Sequence, residues 1–177
     1  FFVLLVTLAG CQDTGKKRFV QEDLREVAIE NLKKTLESEL TWEKVHAAEF
    51  LLELGYINEV HEFFVEEEKE RGEEKFYRIG IWRVLARSTY RTEEKQPWLD
   101  SIANVFKDPF SPERVHAAES MAKLNYFPFS SDHTQVSSIL EGEHNPLWVY
   151  TLWGTAYSEN GNVEDVKKQL TDIVNNP

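Results

Sequence analysis

The chain has 177 residues, enough for one ordinary domain with its own core and too few for two large ones. It is 41% hydrophobic and 29% charged, which excludes both a disordered chain and a multi-span membrane protein. Twenty Lys and Arg against 31 Asp and Glu give a net charge of −11, a poor basis for phosphate contacts, so nucleic acid is not an expected partner. A single cysteine excludes an intramolecular disulfide framework, and 8 Gly with 6 Pro suit helices better than a turn-rich sandwich.

Residues 1–10, FFVLLVTLAG, carry no charge and run directly into Cys11. Ten residues are too few to span a bilayer as a helix, which takes about 20. They fit the apolar stretch and small-residue end of a secretory signal. An ordinary signal peptide followed by a chance cysteine, or a buried strand, would share that pattern. The next residues, Gln12 to Lys17, are short and polar and read as a tether. With no initiator Met and no basic stretch ahead of it, the sequence reads as lacking its first residues.

The four residues Leu8-Ala9-Gly10-Cys11 resemble the lipobox of bacterial lipoproteins, an apolar residue and two small ones before a cysteine. The resemblance implies that residues 1–10 are a cleaved signal, that Cys11 is lipidated, and that 11–18 tether the rest. It also implies a bacterial envelope location, at the outer membrane in a Gram-negative source. Several acyl chains on one cysteine give stable anchoring where a single chain would not.

From Phe19 to Leu40 the apolar residues Leu24, Val27, Ala28, Ile29, Leu32 and Leu36 fall at helical spacing. Thr41 reads as the N-cap of the helix that Trp42 opens. Then comes a repeat. Residues 44–56, KVHAAEFLLELGY, and 114–126, RVHAAESMAKLNY, agree at seven of 13 positions. Gly55 and Asn125, which differ, are the two residue types that best tolerate a left-handed C-cap. Halving the 70-residue offset brings in RIGIWRVLARS at 78–88, and continuing forward brings in PLWVYTLWGTAY at 146–157. The aligned starts are Val45, Ile79, Val115 and Leu147, about 34 apart, a period that marks stacked helical hairpins. Second helices are expected near 58–70, 97–107 and 131–141. Pro112 and Pro146 are expected at first helical positions, and Asn162 is expected to cap a last helix ending near Val174. No alternating strand pattern stands out. The expected class is all-α.

The stretch from Trp98 to Leu124 resembles a HEAT repeat, with Leu99, Ile102 and Phe106 on one helix, Asp108-Pro109 in the turn, and Val115, Ala118 and Met121 on the next. The likeness implies an α-solenoid over residues 19–177, open to continuing past Pro177, with a concave face that binds another protein. In place of the family's usual Arg after the valine stand His46 and His116. A tetratricopeptide array would have the same period and the same kind of surface.

The repeated His-Ala-Ala-Glu places His46 with Glu49 and His116 with Glu119, each pair on one helix face. Such pairs could ligate a metal or transfer protons. Copies two repeats along should lie about 20 Å apart, too far to share an ion. The simpler reading has each His bonding a neighbouring turn at a hairpin seam. His61, beside Glu59 and Glu62, reads as solvated, and Glu66 to Glu68 read as part of a solvated acidic face. Tyr150, Trp153 and Tyr157 form one stripe, read as core. No catalytic, metal or cofactor site is expected. The candidate binding set occupies equivalent slots: His46, Glu49, Trp82, His116, Glu119 and Trp148. Its expected partner is another envelope protein. The alternative is a glycan held or processed by Trp148, Trp153 and groove carboxylates.

Overall fold

A computed structural model describes residues 14–38, 40–130 and 133–175, with side chains of the first helix from Asp23 onward. Residues 1–10, read as a leader, and Cys11 lie outside the described residues. Helices account for all the regular structure among them: α1 (Thr14–Leu36), α2 (Thr41–Glu53), α3 (Ile57–Arg71), α4 (Tyr77–Ser88), α5 (Thr92–Lys107), α6 (Arg114–Lys123), α7 (Thr134–Leu140), α8 (Pro146–Thr155) and α9 (Val163–Asn175). The protein is all-α, and no helix among the described residues is long and apolar enough to cross a membrane.

The four aligned starts fall on α2, α4, α6 and α8, which are successive neighbours in space. Each also packs on the odd-numbered helix before it. Helix α4 touches α2, α3, α5 and α6, which is why Ile79, Ile81, Val84, Leu85 and Ala86 are all fully buried. The two copies of the repeat end alike. Gly55 has φ +92° and Asn125 φ +53°. Beyond them the Tyr56 N–H donates to the Leu51 carbonyl and the Tyr126 N–H to the Met121 carbonyl, both at 3.0 Å. These are six-to-one closures of a left-handed cap, and they satisfy carbonyls that the helix end leaves open.

Helix α4 also approaches α2 closely. A Cβ built on Gly80 would stand 2.5 Å from Val45 Cγ2 and 3.5 Å from the Trp42 ring. We expect Gly80→Ala to lose about 1–2 kcal/mol, overpacking of about 1–3 offset in part by alanine's better helix propensity. Urea unfolding measures it, and a neutral variant would show that Val45 yields.

Several boundaries differ from the sequence reading. Helix α1 starts at Thr14, ahead of Phe19, where the sequence reading begins the helical spacing. Thr41 is the first helical residue of α2; the cap position is Leu40, which offers no side-chain acceptor. Pro112 lies in a turn, and α6 starts at Arg114. Helix α5 starts at Thr92 and carries Pro97 inside it. Helix α7 is shorter than the 131–141 expected. Pro146 opens α8 as read, with the Asn145 side chain accepting from the Trp148 N–H, and Asn162 caps as read, accepting from the Asp165 N–H, each at 3.1 Å.

Candidate functional site

Helices α2, α4 and α6 bring three charged residues into equivalent slots: Glu49, Arg83 and Glu119. Arg83 is fully buried. Its Nε lies 3.0 Å from Glu49 Oε1, in Coulombic contact with the N–H turned off the hydrogen-bond line. Its Nη2 donates to Glu49 Oε2 at 3.3 Å and its Nη1 to Ser120 Oγ on α6 at 3.2 Å. Arg87 adds a second guanidinium 3.4 Å from Glu49. On the other side Lys123 Nζ sits 2.8 Å from Glu119 Oε1, and His116 Nδ1 lies 3.9 Å from Oε2. The His116 imidazole, then the Lys123 and Arg83 cations, hold the Glu119 carboxyl down at about 2, against desolvation that pushes it up. Tyr150 on α8 faces the same charges: burial first, then Glu119, raises its phenol.

An aromatic layer lies over this ladder. Trp42 stacks on His116 with ring centres 4.9 Å apart, and His46 lies 6.2 Å from the same indole. Phe76 meets His116 edge-on at 5.9 Å, and the Arg83 guanidinium is 5.6 Å from the Trp42 ring. Both imidazoles therefore flank one ring, well inside the roughly 20 Å that repeat spacing suggested. Gly80, which occupies the slot between the two histidines, has no side chain, so a residue of α2 can reach one of α6. Among the described residues neither histidine bonds a neighbouring turn, the contact that the simpler reading expects. His46 Nδ1 instead pairs with its own helix's Glu49, 3.2 Å away.

The comparisons come to bear on this geometry. No family model, curated protein or solved structure matches the chain. The site's function rests on its own chemistry.

Of the six candidate residues, the structure brings four together: His46, Glu49, His116 and Glu119. Trp82 lies elsewhere, in a cleft with α5 lined by Arg78, Ser101, Asn104, Asp108 and Ser111. Trp148 is core, only 5% exposed, and its indole N–H donates to the Leu140 carbonyl at 3.1 Å. A ring packed that way presents no face to a ligand. Trp153 and Tyr157, read as core, are half-buried and line a cleft with α9. Among the described residues no cluster of three or more His, Cys, Asp or Glu could hold a metal ion.

Sequence reasoning missed Arg83, the centre of the arrangement. The signal was present, because the 34-residue alignment places Arg83 under Glu49 and Glu119. It also missed two internal anchors. Glu67, read as part of a solvated run, is buried, 2.7 Å from Lys44 Nζ, and accepts from the Tyr77 hydroxyl. His61 is half-buried, with Nδ1 2.9 Å from Ser88 Oγ. A Ser–His pair invites comparison with a nucleophile and base. Here Ser88 ends α4 and its hydroxyl donates to the Leu85 carbonyl of its own helix. The pair fastens α3 to the end of α4.

Proposed function

We propose that this chain is a non-catalytic binding scaffold: a short HEAT-like α-solenoid of about four hairpins, held at a bacterial envelope membrane by lipid on Cys11. In a Gram-negative source that membrane is the outer one. Its partner is another envelope protein, docked on the face built by α2, α4 and α6. The observation that carries this reading is the Trp42–His116 stack across Gly80. It joins side chains of two helices that are not sequence neighbours into one surface, and the contacts of buried Arg83 with Glu49 on α2 and Ser120 on α6 support that surface before any partner arrives. Such preorganisation lowers the entropy lost on binding. One turn beyond His46 on α2, Phe50 is 62% exposed, an aromatic anchor with no internal use.

In-cell crosslinking of the tagged full-length protein, with mass spectrometry of what co-purifies, tests the reading. One dominant envelope protein is expected, captured about tenfold less by a His46→Ala/Phe50→Ser double variant of unchanged helicity. A Cys11→Ala control should release the protein from the membrane fraction. Undiminished capture by the double variant would place the partner on another face.

A second reading, glycan binding, is favoured by one observation only. The Trp82 cleft, of about 340 Å³, combines an indole with Ser101, Asn104, Asp108 and Ser111. Aromatic rings with planar and hydroxyl polar groups suit a sugar. A Trp82→Ala variant that keeps its protein partner and loses a retained glycan would favour this reading.

A further inference from the structure

We propose that the cleft between α8 and α9 is a binding site for a single alkyl chain carrying an anionic headgroup, with Lys167 facing the headgroup. The cleft measures about 440 Å³, within the usual range of small-molecule sites. Trp153 of α8 and Tyr157 just beyond its end form one wall, and Val166, Leu170 and Val174 of α9 the other. Helix α9 packs on α8. Its apolar stripe is longer than that contact covers, since Val166 is buried while Val163 and Val174 stay exposed. Those two valines, both lining the cleft, stand 11 residues apart, about 16 Å along the helix axis. An elongated apolar furrow suits an extended chain better than a compact fused ring.

Charge selects the headgroup. The protein carries 31 Asp and Glu residues and a net charge of −11, yet among the described residues no carboxylate lines this cleft. Among the described residues that do line it, Lys167 is the only charged one. A cationic ligand would meet a like charge there, and a second copy of the chain would bring a second −11 to the interface. An anionic amphiphile brings only one negative charge to the chain, and Lys167 lies in the cleft to meet it. A fatty acid and a lysophospholipid share this chemistry.

Calorimetric titration of the full chain with octanoate, decanoate and laurate, each below its micelle concentration, tests the site. One molecule per chain is expected, with affinity rising about fourfold per added methylene. Dodecyltrimethylammonium should bind up to about fivefold more weakly than laurate, and Lys167→Gln should erase that difference. Val174 is largely exposed, so Val174→Asp leaves the fold intact; it should weaken laurate about tenfold or more. A lauroyl lysophosphatidylglycerol arm separates the sources: whichever of the two binds more tightly names the headgroup, and either supports the site. Lack of saturable laurate and lysolipid binding overturns the proposal, whether sedimentation then shows a monomer or a dimer with a second copy on this face. Laurate binding unchanged by Val174→Asp overturns it as well.

Discussion

Replacing Arg83 by Met is expected to destabilise the fold by about 3 kcal/mol, with Tm falling by roughly 6–12 °C. Arg83 is fully buried and its partner Glu49 is largely so, with a side chain 13% exposed; Glu119, 17% exposed, feels the cation through space only. Methionine fills much of the volume but leaves Glu49 short of a cation and weakens the field at Glu119. Breaking a buried pair from one side leaves an uncompensated charge, which is where the cost arises. Arg87 and Lys123 remain beside the carboxylates, so the loss falls at the low end of the usual range. The triple variant Glu49→Gln, Arg83→Met, Glu119→Gln should recover more than half of it, because no charge is then stranded. Urea unfolding of the single and triple variants measures both. A single variant as stable as the parent would mean that the carboxylates take up protons or water at no cost. Lysine at position 83 should fall between, since an ammonium lacks the fork that reaches Glu49 and Ser120 together.

The second large effect depends on pH. The Glu119 carboxyl is held at about 2 by His116 first and then by Lys123 and Arg83, below its ordinary value of 4.5. A depressed carboxyl stabilises the folded state fully above its unfolded value, and that contribution fades as pH falls toward the folded one. Stability should therefore be level with respect to this group above about pH 5 and drop between about pH 4.5 and 2. The imidazole contact is long at 3.9 Å, so we expect about 2 kcal/mol from Glu119 alone. The comparison is with Glu119→Gln. Parent and variant should differ most at neutral pH and converge as the solution approaches pH 2. A gap that persists unchanged to pH 2 would assign the stabilisation to shape and not to charge.

How far the sequence revealed this arrangement varies from residue to residue. The copies at 44–56 and 114–126 identified two helices with the correct caps, because Schellman geometry depends on one residue type at one place, Gly55 or Asn125. The Asn145 and Asn162 starts were legible for the same local reason. The starts at Thr41 and Pro112 were not, because tertiary packing set those ends a residue or two away from the capping signal. Burial of charge was the harder matter. Glu67 sits in a run of glutamates and only the position of Lys44 and Tyr77 across the fold distinguishes it from its neighbours. Trp148 occupies the slot of His116 and looked equivalent to it. At the last of the four neighbouring helices, though, its ring turns into the core formed with Leu152 and Val166. Periodicity reports which face a residue shares; it does not report what covers that face.

The alternation of sign along Glu49, Arg83 and Glu119 also bears on how the chain finds its order. Helices α2 and α6 share the run Val-His-Ala-Ala-Glu, so a folding chain could dock either one where the other belongs, or pair α2 of one molecule with α6 of another. Similar segments invite that kind of exchange. Direct apposition of the two would set Glu49 against Glu119 without Arg83, leaving Lys123 as the cation beside them, a penalty that grows as water leaves. Only α4 carries arginine in the corresponding slot and glycine beside it, so only α4 can settle between the copies. The buried cation thereby acts as a sorting mark, making the correct sequence of helices the one in which like charges never meet.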